Sequence, residues 1–229
     1  MVNVRLIIFG IALIVVFFQR KKNPELSKPL MIGLVVVLFL LQGIKWFGGG
    51  GGDTAERIQI TYTFQSAAAS VLGQQIARDL DGGTVVLMQT APDTEFAASQ
   101  VKGLEEGLGG GFSVETASLM EDGMDDMMAL EGLGITSDML LRVVNDHPDA
   151  AALVSAAGMP YFEDRIPRDL PPLYVLEAPD FAEGNDLLRQ GVVEACIQYK
   201  NDVDWQAKPA RGMSKEEIFD LRYTLKTAD

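Results

Sequence analysis

The chain has 229 residues, 48% of them apolar, and a formal net charge of −13. That length accommodates one good-sized domain with attachments, and not two full domains beside a membrane anchor. An acidic balance with no cluster of Lys and Arg beyond residue 53 excludes a partner met through its phosphate backbone, so no nucleic acid is expected.

Two apolar runs open the chain, VNVRLIIFGIALIVVFFQ at 2–19 and LMIGLVVVLFLLQGIKWF at 30–47. A bilayer core takes a helix of about 20 apolar residues, with about 17 as the lower end. Both runs suffice if Arg5 and Lys45 extend to the headgroups, and Trp46 and Phe47 then stand where an aromatic belt belongs. Between them Arg20, Lys21, Lys22 and Lys28 face a single Glu25. The positive-inside rule makes this loop cytoplasmic. The expectation is a membrane anchor over 1–47, made of two transmembrane helices, in the inner membrane of a bacterium with the C-terminal domain periplasmic or extracellular. A single anchor is the alternative. Gly48 to Gly52 lie in a linker, 48–56, whose composition suits flexible coil.

From residue 57 the pattern alternates. RIQITYTF (57–64) places Ile58, Ile60, Tyr62 and Phe64 on one face of a strand. Ala69, Leu72, Ile76 and Leu80 follow at helical spacing across 66–80. A strand is expected at 84–89, a helix at 94–108 and a strand at 112–117. A helix at 135–147 leads to buried strands at 151–157, 173–179 and 191–199. Strands separated by helices imply parallel pairing, so the fold class is α/β: a single doubly wound, three-layer domain over 57–205, preceded by transmembrane helices. The prolines of GMPYFEDRIPRDLPP (158–172) exclude a continuous helix there. In the C-terminal segment, 206–229, SKEEIFDLRYTL reads as an amphipathic helix capped by Ser214 with Glu217. Ile218, Leu221 and Leu225 share its face, which packs on the domain's own sheet or docks on a partner.

No catalytic constellation emerges. Cys196 is the single cysteine and sits in a strand pattern, as a small core residue does. His147 is the single histidine and suits the C-terminal cap of a helix. Ser99, Ser113 and Ser118 have no base beside them in sequence, and GLGGG at 107–111 ends a helix where a phosphate loop would begin one. The Met- and acid-rich stretch 119–134 lacks the ligand order of a calcium loop and reads as a solvated insertion. Neither enzyme activity, metal nor cofactor is expected.

The segments VLGQQIARDL (71–80), SQVKGLEEGL (99–108), NDHPDAAALVSA (145–156) and GVVEACIQYKNDVDW (191–205) carry a resemblance. From Ile60 to Pro160, and again near the end, the chain resembles the C-terminal lobe of type I periplasmic sugar-binding proteins and lac-repressor-type effector domains. The resemblance implies a ligand cleft between two lobes, of which this chain has length for one. It also implies that an Arg on the second helix is replaced by Gln100, and an Asn-Asp pair by Ala156 and Ala157. Gln198 alone keeps its place among the family's polar contacts.

Two functions follow as expectations. The first is a membrane-anchored scaffold that holds other membrane-protein subunits or associates with itself, small-molecule binding being doubtful. The second is a receptor or transport accessory for a small, sugar-like molecule. Its cleft, completed by dimerising, would be lined by Thr90, Asp93, Gln100 and Gln198.

Overall fold

The computed structural model describes residues 51–120, 135–162, 166–167, 169–178 and 182–228. The transmembrane helices expected at 2–19 and 30–47 lie outside the described residues, as does most of the 119–134 insertion. Among the described residues no helix is long and apolar enough to cross a membrane. The chain divides into two compact units, residues 1–57 and 58–229. Of the first only 51–57 are described, as the opening of a helix.

That helix, α1, runs over Gly51–Asp79, 29 residues without a break, and corrects two expectations. Residues 51–56 are helical where flexible coil was expected, and 57–64 is helix where a strand was expected. Alternation over 57–64 is a short signal, and β-propensity spans only about 1 kcal/mol. Helical spacing wins because Ile60, Phe64, Ala67, Ala68, Val71, Leu72 and Ile76 form one stripe that packs into a single core cluster.

The other elements follow the expected order with trimmed ends. They are β1 (Gly83–Gln89), α2 (Glu95–Leu108), β2 (Phe112–Ser118), the short β3 (Ile135–Thr136) and α3 (Ser137–Asp146). Then come β4 (Ala150–Ser155), the short β5 (Pro160–Tyr161), β6 (Leu173–Val175), α4 (Ala182–Arg189), β7 (Ala195–Tyr199), α5 (Lys215–Asp220) and β8 (Tyr223–Thr227). Thr94 caps α2 by accepting from the Ala97 amide, and Thr136 caps α3 through Met139. Sequence reading missed β3, which it took as the start of a helix, and also β5 and α4. It also ran α5 too far: the capping box of Ser214 and Glu217 is present, but the helix stops at Asp220. The chain then turns into β8, where Leu225 pairs with Ile197. Ile218 and Phe219 are buried in the lobe's own core, so this face of the tail is already occupied.

Six strands form one sheet in the order β2-β1-β4-β6-β7-β8, all pairs parallel except the last. The fold is therefore a mixed α/β lobe with a parallel-dominated sheet. Strand alternation sorts the core into two layers. Val85, Leu87, Val154, Tyr174 and Ile197 face α1, α2 and α5. Val86, Met88, Leu153, Val175 and Cys196 face α3 and α4.

Helices α1 and α2 approach until their backbones touch. A Cβ at Gly103 would fall on the carbonyl oxygen of Ser66, and one at Gly107 on that of Ser70. One at Gly73 would stand 2.7 Å from the Leu104 oxygen. Across this junction Lys215, in the first turn of α5, donates to Ser66 Oγ at 2.6 Å and pairs with Glu106 at 3.2 Å. That contact fixes α1, α2 and α5 as one layer.

Candidate functional site at the carboxyl edge of the sheet

The chain leaves β1 toward β2 on one side and returns to β4 on the other. Such a reversal opens a crevice beyond the carboxyl ends of the two strands, the place where open α/β sheets hold ligands. Here its walls are Gln89 and Thr90 at the end of β1, and Ser155 to Gly158 at the end of β4. The second wall is a tight turn. Ser155 Oγ accepts from the Ala157 amide at 3.3 Å and donates to the Gly158 carbonyl, while the Ala156 amide donates to Met88. Gly158, at φ +94°, closes the turn in the region that favours glycine.

Behind the first wall, buried amides form a relay. Gln89, only 3% exposed, donates through Nε2 to the Ala97 carbonyl at 3.2 Å and to Gln100 Oε1 at 2.9 Å. Gln100 Nε2 donates to Gln65 Oε1 at 3.1 Å, and Gln65 Nε2 to Glu177 Oε2 at 3.0 Å. The relay thus runs from β1 through α2 and α1 to the loop after β6. One atom is left over. Gln89 Oε1 is buried without a hydrogen-bond partner among the described residues. An orphaned buried acceptor costs about 1–3 kcal/mol, so a position like this asks for a water or a ligand.

Glu177 also meets an aromatic wall. The Tyr199 phenol is raised well above its ordinary range, first by burial and then by the negative charge of Glu177, with which it hydrogen-bonds. Tyr223, opposite Tyr199 in the β7–β8 register, is pushed up to about 12, chiefly by burial. The Trp205 ring centroid lies 5.0 Å from that of Tyr199. Arg222 supports the loop from beneath: its guanidinium carbon sits 3.6 Å from the Phe64 ring centroid, and Nη2 donates to the carbonyls of Trp205 and Ala207. Trp205 is left 62% exposed.

Of the four expected contacts, Thr90 and Asp93 lie exposed in the turn between β1 and α2, beside the crevice. Gln100 and Gln198 are each 3% exposed and do not come together. Gln100 is spent inside the relay, on the α1–α2 side. Gln198 follows Cys196 at the two-residue period of β7 and so belongs to the opposite face. Sequence reasoning missed Gln65, Gln89, Glu177 and Tyr199. Gln89 carried a signal, an amide closing the otherwise apolar run TVVLM. The others carried none, because Gln65 was read as following a strand. His147 closes α3, donating its backbone N–H to the Val143 carbonyl, and its Nδ1 lies 2.8 Å from Glu115. Among the described residues no three His, Cys, Asp or Glu side chains could hold a metal ion.

No family model matches the chain, and no curated protein matches it. Solved structures do. A glucose-galactose binding protein, GanP from Geobacillus stearothermophilus, is 15% identical at a TM-score of 0.38, over 58% of this chain and 47% of that one. An arabinose binding protein, AraP from the same organism, is 14% identical at 0.43, over 72% and 61%. A sugar-binding protein of a sugar ABC transporter from Bacillus halodurans is 13% identical at 0.42, over 72% and 62%. The chain spans less than two thirds of the length of each. A likeness this shallow transfers neither ligand nor mechanism, and the fold rests on the strand order and layers described above.

Proposed function

We propose that this chain is a solute-binding lobe that takes a small, neutral, polyhydroxyl molecule at the crevice between β1 and β4. A second copy would cover the open side of that crevice, and residues 1–47 would tether the lobe to the outer side of a bacterial inner membrane. The observation that carries the reading is the unpartnered Oε1 of Gln89, buried at the edge of a topological switch point. Charge narrows the class. Asp93 and Glu95 stand exposed at the start of α2, and the whole chain carries −13, which disfavours an anion. Thr90 adds a hydroxyl able to donate or accept, as a polyol requires.

The test is a thermal-shift panel of neutral sugars, polyols, amino acids and sugar phosphates on the full chain. A neutral sugar or polyol should raise the melting temperature in a dose-dependent manner, and Gln89→Leu should abolish the rise. A flat response to every neutral polyol would end this reading. Alkaline carbonate extraction checks the tether separately: the chain should stay with the vesicles.

A scaffold role keeps one observation in its favour, the exposed indole of Trp205. Stable co-purification of other membrane proteins, lost in Trp205→Ala and insensitive to any solute, would favour it.

A further inference from the structure

Resting on that reading, we infer that Glu177, acting with the Ala97 carbonyl, sets the direction of the whole glutamine relay and so makes Gln89 a hydrogen-bond acceptor toward the crevice. The site then selects a solute that donates a hydrogen at this point, through a hydroxyl or an N–H. Gln89 would be the contact. Glu177, three side chains away, would be its positioning residue.

The argument is one of donors and acceptors. A glutamine amide has two faces of nearly equal shape, an oxygen that accepts and an NH2 that donates, and it can turn over to suit its neighbours. A carboxylate has no such freedom, since it only accepts. Glu177 therefore compels Gln65 to present its NH2 (3.0 Å). With that end used, Gln65 offers its oxygen to Gln100, which answers with its own NH2 at 3.1 Å. Gln100 is left with an oxygen toward Gln89, which answers in the same way at 2.9 Å. Gln89 is held a second time, because its NH2 also meets the Ala97 carbonyl, another group that only accepts. Nothing remains for its Oε1 but the unpartnered position it holds. Every amide in the series points the same way, between two groups that only accept, the Ala97 carbonyl beside Gln89 and the Glu177 carboxylate at the far end. Tyr199 reinforces that end, since a hydroxyl hydrogen-bonded to Glu177 keeps the carboxylate in its accepting role.

Two readouts on the full chain test this. In side-chain amide NMR, wild-type Gln89 and Gln100 should each show one NH2 pair with slow solvent exchange. Glu177→Gln, which removes the charge at constant shape, and Gln65→Leu, which cuts the relay while keeping Glu177, should each add a second, flipped population or accelerate exchange about tenfold or more. A single unchanged set of resonances in both variants would overturn the inference, and this arm needs no ligand. The second arm takes any neutral sugar that binds and compares it with its fluoro analogues, in which a hydroxyl that donates becomes a fluorine that cannot. Wild type should lose about tenfold in affinity at one position, the value of one neutral hydrogen bond. Glu177→Gln should reduce that discrimination to about threefold or less. Equal discrimination in both proteins would overturn the inference and leave the solute-binding reading standing. No binding to any sugar, with the NMR result as expected, would overturn the function and leave the relay's polarity standing.

Discussion

The two faces of the sheet solve the same packing problem with different chemistry. The face under α3 and α4 is closed mainly by apolar side chains, among them Val86, Met88, Leu140, Val143 and Cys196, with Ser155 and Gln198 buried beside them. The face under α1, α2 and α5 is apolar over the middle of the sheet, with Leu72, Leu87 and Tyr174. Toward the carboxyl edge it becomes a buried polar relay. The difference teaches where this lobe can carry function. A face closed mainly by apolar packing has chiefly stability to lose. A face that buries three glutamines in one line, ending on a half-buried glutamate, has accepted desolvation for the sake of orientation.

Breaking the close contact that allows this should have the largest effect. Gly107→Ala drives a methyl group into the Ser70 carbonyl, and separating α1 from α2 should lower stability by about 3 kcal/mol in urea unfolding. Gly110→Ala, which meets nothing within 4 Å, is its control and should change little. If the two behave alike, the helices are not in the contact described. Next comes the relay. Gln100→Leu leaves Gln65 Oε1 without its donor, and should cost about 2 kcal/mol by the same measurement. A neutral or stabilising result would mean that the relay contributes little rigidity and that the two faces differ less than their chemistry suggests.

Smaller still is the end of α5. Ser214→Ala removes the hydroxyl that accepts from the Glu217 amide and should cost about 1 kcal/mol. Near neutral pH the smallest change of all is ionisation, and its sign can be stated. Burial raises the Cys196 thiol from 9.0 to about 11, and Tyr223 on the other face from 10.0 to about 12. From pH 9 upward the native state holds protons on these two groups that the unfolded chain has released, so their contribution should lower stability between pH 9 and 12 and change little below that window. Cys196→Ala and Tyr223→Phe would show the share of that fall each group carries, beside Tyr174 and Tyr199, which are raised by burial on the same face as Tyr223.

Much of this was legible before any coordinates. The strands that became β1, β2, β4 and β7 are short apolar or alternating runs bounded by glycine, proline and acid, and their signal is local. The cap at Ser214 was legible for the same reason, since a hydroxyl three residues before its amide needs only neighbours in sequence. Residues 57–64 were misread because Ile58, Ile60, Tyr62 and Phe64 satisfy alternation, while the helical stripe shows itself only once continued to Ile76. Leu225 was assigned to a helix because its spacing from Ile218 is helical. The free edge of β7 then claims it for β8, a choice that backbone pairing makes and periodicity does not record.

The candidate site divides along the same line. Composition and spacing pointed to a parallel α/β domain with no catalytic motif in its sequence, and the resemblance to sugar-binding lobes pointed to Gln100 and Gln198 as cleft contacts. Only the tertiary structure put those two on opposite faces of the sheet, and brought Gln65, Gln89 and Glu177, from a helix, a strand end and a loop, into one hydrogen-bonded series. The reason is range. Secondary structure depends on residues within a few positions, whereas the relay joins Gln65 to a carboxylate 112 positions away, a pairing that exists only after the sheet has set its strand order.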